Sequence, residues 1–102
     1  MRVPITIRNT SYALYSSTFR NHPVCASYHW LDEQGATVER DGIRTFFAKP
    51  LRPGAKTVVD LLVAMPETPG SYTLVFSLVQ EAFAWFDDLV PELGIPLPVV
   101  IR

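Results

Sequence analysis

Apolar and polar residues alternate most cleanly between Tyr72 and Val79. Tyr72, Leu74, Phe76 and Leu78 fall on one face of an extended chain, and Thr73, Val75, Ser77 and Val79 on the other, because successive strand side chains point to opposite sides. Pro69-Gly70 supplies a turn just before this run, so Pro69 to Gln80 reads as a turn leading into the central strand. A second run, Val24 to Leu31, sets Val24, Ala26, Tyr28 and Trp30 against Cys25, Ser27, His29 and Leu31. Burying one large apolar side chain contributes roughly 1.5–3 kcal/mol, and the rings of Tyr28 and Trp30 mark the first set as a core face.

Shorter runs complete the pattern. Val3, Ile5 and Ile7 alternate with Arg2, Pro4, Thr6 and Arg8, which suits a strand with one wet side; Pro4 cannot donate to a ladder and predicts a sheet edge. From Lys56 to Met65, Val59, Leu61, Val63 and Met65 oppose Val58, Asp60, Leu62 and Ala64. Both sets are largely apolar, which predicts an interior strand. Asp32 to Gly35 reads as a hairpin turn with Thr37 to Arg40 returning, and Asp41-Gly42 as a tight turn before a short strand from Ile43 to Phe47. Leu97, Val99 and Ile101 share one face of a closing strand, Pro96 to Arg102.

Two stretches are less regular. Residues 9–23 place Tyr12, Tyr15 and Phe19 between turn formers and read as a long loop with a short strand at 12–15. Residues 81–95 fit either a helical turn or a turn and strand built on Phe83, Trp85 and Asp87; the continuing period of two favours the strand. The sum is about seven short strands separated by turn signals every 8–12 residues, the pattern of an all-β antiparallel sandwich.

Composition narrows the class. The chain has 102 residues, enough for one core, so residues 1–102 are read as a single domain. Its 48% apolar and 19% charged residues exclude the composition of a disordered chain. Nine basic and ten acidic residues, spread without long runs, give a net charge of -1. That leaves no electrostatic footprint for nucleic acid or an anionic membrane. No stretch approaches the roughly 20 apolar residues of a spanning helix, and Pro4, Thr6 and Arg8 break the continuous apolar run a signal peptide needs. Cys25 is the only cysteine, so no internal disulfide forms and a cytoplasmic location is expected.

Candidate chemistry is thin. Ser27, His29 and Asp32 suggest a nucleophile, base and orienter, but strand spacing holds Ser27 and His29 about 7 Å apart and turns Asp32 to the other side. His22, Cys25 and His29 lack any paired metal-ligand spacing, and neither a metal nor a cofactor is expected. Asn9-Thr10-Ser11 matches a glycosylation sequon and, without a secretion signal, reads as a turn. Aromatic residues are in surplus. Phe46-Phe47 and Trp85-Phe86 cannot both face one core from strands, so one of each pair needs a second core face, a dimer interface or a ligand. Gln80 and Glu81 lie close to Trp85 in sequence, and a ring flanked by such groups suits the flat face and hydroxyls of a sugar.

The segments SYHWLDEQG (27–35), DGIRTFF (41–47), LRPGAKTVVDLLVAMPETPGSYTLVFSLVQE (51–81) and AWF (84–86) resemble a bacterial accessory module. It is the immunoglobulin-like β-sandwich attached to surface-polysaccharide machinery, as in the C-terminal domain of the ATP-binding subunit of O-antigen ABC exporters. Similar modules are fused to glycosyltransferases or methyltransferases. The resemblance implies a non-enzymatic domain of a larger protein that recognises a polysaccharide chain or positions a fused ATPase, glycosyltransferase or methyltransferase domain. It also implies a possible homodimer by exchange of an edge strand. The residues expected to meet a ligand are His29, Arg44, Gln80, Glu81 and Trp85. The alternative is a structural spacer or dimerisation domain with no sugar ligand.

Overall fold

Two antiparallel sheets face each other across the core of the computed structural model, which describes residues 1–18 and 21–102. The smaller sheet pairs β1 (Arg2–Arg8) with β4 (Lys56–Leu62). In the larger sheet, β2 (Val24–Asp32) lies between β3 (Thr37–Glu39) and β5 (Gly70–Gln80). The far edge of β5 is shared. β7 (Ile95–Ile101) pairs with its first part, Gly70 to Phe76, and β6 (Ala84–Trp85) with Val79 and Gln80. A short helix, α1 (Phe86–Leu89), and a 3-10 turn (Pro91–Leu93) connect β6 to β7. Among the described residues no helix is long and apolar enough to cross a membrane.

The two clearest alternating runs pair with each other. β2 and β5 run in continuous register from Val24 opposite Gln80 to Asp32 opposite Tyr72. Val24, Ala26, Tyr28 and Trp30 thereby join Leu74 and Phe76 on the face that packs against Val59 and Leu61 of β4. The polar tips of the two large rings are used as well. Trp30 Nε1 donates to the Ala64 carbonyl at 2.9 Å, and the Ala64 amide donates to Tyr28 Oη at 2.9 Å, so the chain leaving β4 is fastened to the middle of β2. Gly42 completes this end of the core: a Cβ there would stand 2.7 Å from the Tyr28 ring, so only glycine permits the approach. On the reverse face of β2, Cys25 packs with Val79 and Trp85 in a second apolar cluster, which takes Trp85 of the Trp85-Phe86 pair; in the other pair Phe47 is buried and Phe46 is exposed to solvent.

β1 is an edge strand, as Pro4 predicts. β4, however, is not interior: among the described residues β1 is its only strand neighbour, and Val58 is 66% exposed. Ile43 to Phe47 does not form a strand beyond a single bridge between Thr45 and Ala26. Side-chain hydroxyls take the ladder's place there, with Ser17 Oγ accepting from the Phe47 amide and Thr45 Oγ1 from the Leu62 amide. In the 9–23 loop the expected strand at 12–15 reduces to one bridge, Tyr15 to Leu51; Phe19 lies outside the described residues. Asn9 is fully buried, with Nδ2 donating to the Ala13 and Leu51 carbonyls and Oδ1 accepting from the Ser11 amide, which makes the sequon a turn. The expected strand on Phe83, Trp85 and Asp87 ends at Trp85. Ala82, at φ +59°, and the Phe83 amide bonded to the Gln80 carbonyl close a tight turn, and the chain then coils into α1.

Candidate functional site

The outer face of the larger sheet, turned away from the inter-sheet core, gathers most of the chain's polar chemistry. Strand parity puts Ser27 and His29 of β2 there, beside Ser77 and Val79 of β5, with Glu81 next in the same sequence. The β5–β6 turn folds Trp85 back over this face, where it keeps 7% of its surface exposed. The His29 ring centroid lies 4.0 Å from that of Trp85, at an interplanar angle of 43°. Two guanidinium groups stand by the same indole, Arg44 at 5.0 Å and Arg40 at 5.8 Å from the ring centroid, within reach of its electron-rich face.

Each polar group is held by a partner. Arg44 Nε donates to Glu81 Oε1 at 3.1 Å, Nη1 to the Gly42 carbonyl at 2.9 Å, and Nη2 to Asp41 Oδ1 at 3.2 Å. Arg40 pairs with Asp88, and both side chains are 49% exposed. His29 is buried, with Nδ1 against the Arg40 carbonyl and Nε2 3.0 Å from Asp87 Oδ2. Both partners can accept a ring N–H. Asp87 Oδ1 is buried and meets no donor among the described residues.

The arrangement does not build a nucleophile. Ser27 Oγ donates to the Ile43 carbonyl at 3.0 Å, and both nitrogens of His29 are engaged elsewhere, so no base serves the hydroxyl. Asp32 is the last residue of β2 and serves the turn that follows, its Oδ1 accepting from the amides of Gln34 and Ala36. The carboxylate that meets His29 instead comes from Asp87, 58 positions along the chain. Burial pushes the Cys25 thiol up; the nearby Glu81 charge adds to this, while the Ser17 hydrogen bond and Arg44 oppose it. No group of three or more metal-ligating side chains assembles among the described residues.

Of the five residues expected to meet a ligand, four come together. His29, Arg44, Glu81 and Trp85 share this face. Gln80 does not: it has the parity of the opposite face, and its Nε2 donates to the His22 carbonyl at 3.2 Å. Nor is Trp85 an open platform, since His29 and the arginines enclose it. Arg40, Asp41, Asp87 and Asp88 complete the cluster and escaped the sequence reading. Their signal was charge placement: arginines bracketing the Asp41-Gly42 turn, and two consecutive acids following the aromatic pair Trp85-Phe86.

Compared with protein-family models, curated proteins and solved structures, the chain has no match.

Proposed function

We propose that the chain is a non-catalytic recognition module that holds a hydroxyl-rich ligand, a segment of surface polysaccharide, on the outer face of its larger sheet. The observation that carries this reading is the pairing of Arg40 with Asp88, half-exposed, and of Arg44 with Glu81, partly buried, around a buried Trp85. A sugar hydroxyl both donates and accepts, so neighbouring hydroxyls are suited to alternating guanidinium donors and carboxylate acceptors. Because these side chains are already braced, a ligand would immobilise few new rotamers on binding. Polar contacts, rather than ring stacking, form the contact surface. Trp85 and His29 support it from beneath, and Gln80 takes no part.

The immunoglobulin-like character of the sandwich, a cytoplasmic location, and attachment to an ATPase, glycosyltransferase or methyltransferase belong to the same proposal and rest on the motif resemblance. The test is a titration of isotope-labelled protein with fragmented surface polysaccharide from the organism that encodes the chain. Amide shifts at Arg40, Arg44, Glu81 and Asp88, with the Trp85 indole, are expected at millimolar repeat unit. A titration without shifts would refute the reading.

One observation favours a second reading. Each charged group named above already has a partner within the chain, as expected if the network only clamps α1 to the sheet of a spacer domain. The same titration separates the two, because a clamp leaves the spectrum unchanged.

A further inference from the structure

The larger sheet is wider than the smaller one, and the difference leaves a strand-sized gap. β4 packs against β2 and β1 lies beside β4, and among the described residues the first half of β7, Ile95 to Pro98, stays exposed, while Val99 is partly buried against the core. Leu97 and Ile95 stand in register with the core residues Leu74 and Phe76. Yet Leu97 is 39% and Ile95 55% exposed, against 0% and 8% for their partners. The uncovered space is an apolar groove of about 370 Å³ between the outer edge of β1 and the β5–α1–β7 wall.

The backbone of β1 is open along this groove. Hydrogen bonds from the Val63 amide to the Met1 carbonyl and from the Asn9 amide to the Ala55 carbonyl bracket the ladder with β4. The odd-numbered residues of β1 therefore face β4, and the even-numbered ones turn their N–H and C=O groups outward. Pro4 is one of these and has no N–H to offer, which blunts the N-terminal half of the edge. Thr6 and Arg8 line the groove, and their backbone groups take no partner among the described residues. Two other edges are blunted, since β7 carries Pro96 and Pro98 and β3 has three residues. On β4 the Leu62 amide is taken by Thr45, and that strand contributes no residue to the groove.

We propose that an extended segment of another protein adds to β1 as a third strand in this groove, apolar at alternate positions and carrying a carboxylate opposite Arg8. Main-chain pairing with Thr6 and Arg8 would supply affinity, and the apolar positions would cover Ile95, Phe86 and Leu78. Charge complementarity argues for the acid. Arg8 contacts only the Gly54 carbonyl, at 3.4 Å, and meets no carboxylate among the described residues, whereas Arg2 lies 3.8 Å from Asp60. A second copy of this chain does not suit the gap, because β1-to-β1 pairing would bring two overhanging β7 strands into the same space.

The test uses the whole chain and a capped peptide of about seven residues, a typical strand length, with valine alternating with threonine and glutamate. Saturable amide shifts at Thr6, Arg8 and Leu78 are expected, together with slowed hydrogen exchange at Thr6 and Arg8. Thr6→Pro removes an outward donor and no hydrogen bond within the chain, and it should weaken the peptide by about fivefold or more, the worth of one net hydrogen bond. Arg8→Glu should weaken the same peptide and recover binding when lysine replaces glutamate. The proposal is overturned if the shifts fall on β4 or β7, if no shifts appear at millimolar peptide, if both variants bind like the parent, or if the parent closes the groove by dimerising without peptide.

Discussion

His29 Nε2 lies 3.0 Å from Asp87 Oδ2, and this contact fastens α1 across the outer face of β2. The pair is largely desolvated, with side-chain exposures of 5% and 14%, so removing one partner leaves a buried polar group without its mate. His29→Ala and Asp87→Ala should each destabilise the fold by about 1–3 kcal/mol. Urea denaturation of both single variants and the double variant would measure the coupling, expected at about 1 kcal/mol or more. Strict additivity would mean that the contact does not hold α1.

Gly42→Ala is expected to be costly although it adds one methyl group. The new Cβ would meet the Tyr28 ring at 2.7 Å, and that ring cannot withdraw without releasing the Ala64 amide from its hydroxyl. Overpacking of this kind costs about 1–3 kcal/mol. Gly35→Ala meets no atom within 4 Å, but its φ of +81° strains the turn. A thermal melt in which Gly42→Ala matches the parent would disprove the close packing.

Cys25 should be protected from alkylation in the native protein and react once the chain unfolds. Burial favours the neutral thiol and raises its pKa in the folded state. The sign for stability follows: the contribution is complete below the ordinary thiol value of 9.0. It is lost as pH climbs above that value, where the unfolded chain sheds a proton that the folded chain retains. Comparing denaturation midpoints of parent and Cys25→Ala at neutral and alkaline pH would show it, because the parent should lose more stability on going alkaline.

The β2–β5 pair was legible in the sequence because both strands carry a strict period of two with large rings on one face; what the period did not show is that β2 is buried on both faces from Val24 to Trp30, its second face lying under Trp85. β4 misled for an energetic reason. Its Val58 and Leu62 are apolar, yet the sheet ends beside them, and exposed apolar residues are ordinary on protein surfaces. Of the candidate site, His29, Arg44, Glu81 and Trp85 were legible, and parity determines the direction of His29 on β2 and of Glu81, one residue past the end of β5. Asp87 reaches His29 through a positive-φ turn at Ala82 and the helical turn after Trp85, and no local periodicity encodes where such a reversal puts a side chain. Parity also carried the information that excludes Gln80, which is one residue out of phase with Glu81.

Arg40→Ala separates a ligand surface from a clamp. Its ion pair with Asp88 is half-exposed on both sides, and pairs in that setting contribute between nothing and about 1 kcal/mol. The Arg40 carbonyl that holds His29 belongs to the backbone and survives the substitution. Stability should therefore change little, while affinity for surface polysaccharide should fall about tenfold if a charged hydrogen bond to the ligand is lost. Arg44→Ala should differ: that side chain bridges Glu81, Asp41 and the Gly42 carbonyl beside Trp85, so its loss should weaken fold and binding together. Urea midpoints and polysaccharide titrations on the two variants would read both quantities. If Arg40→Ala binds as the parent does while Arg44→Ala loses stability alone, the patch is a clamp and the recognition reading fails.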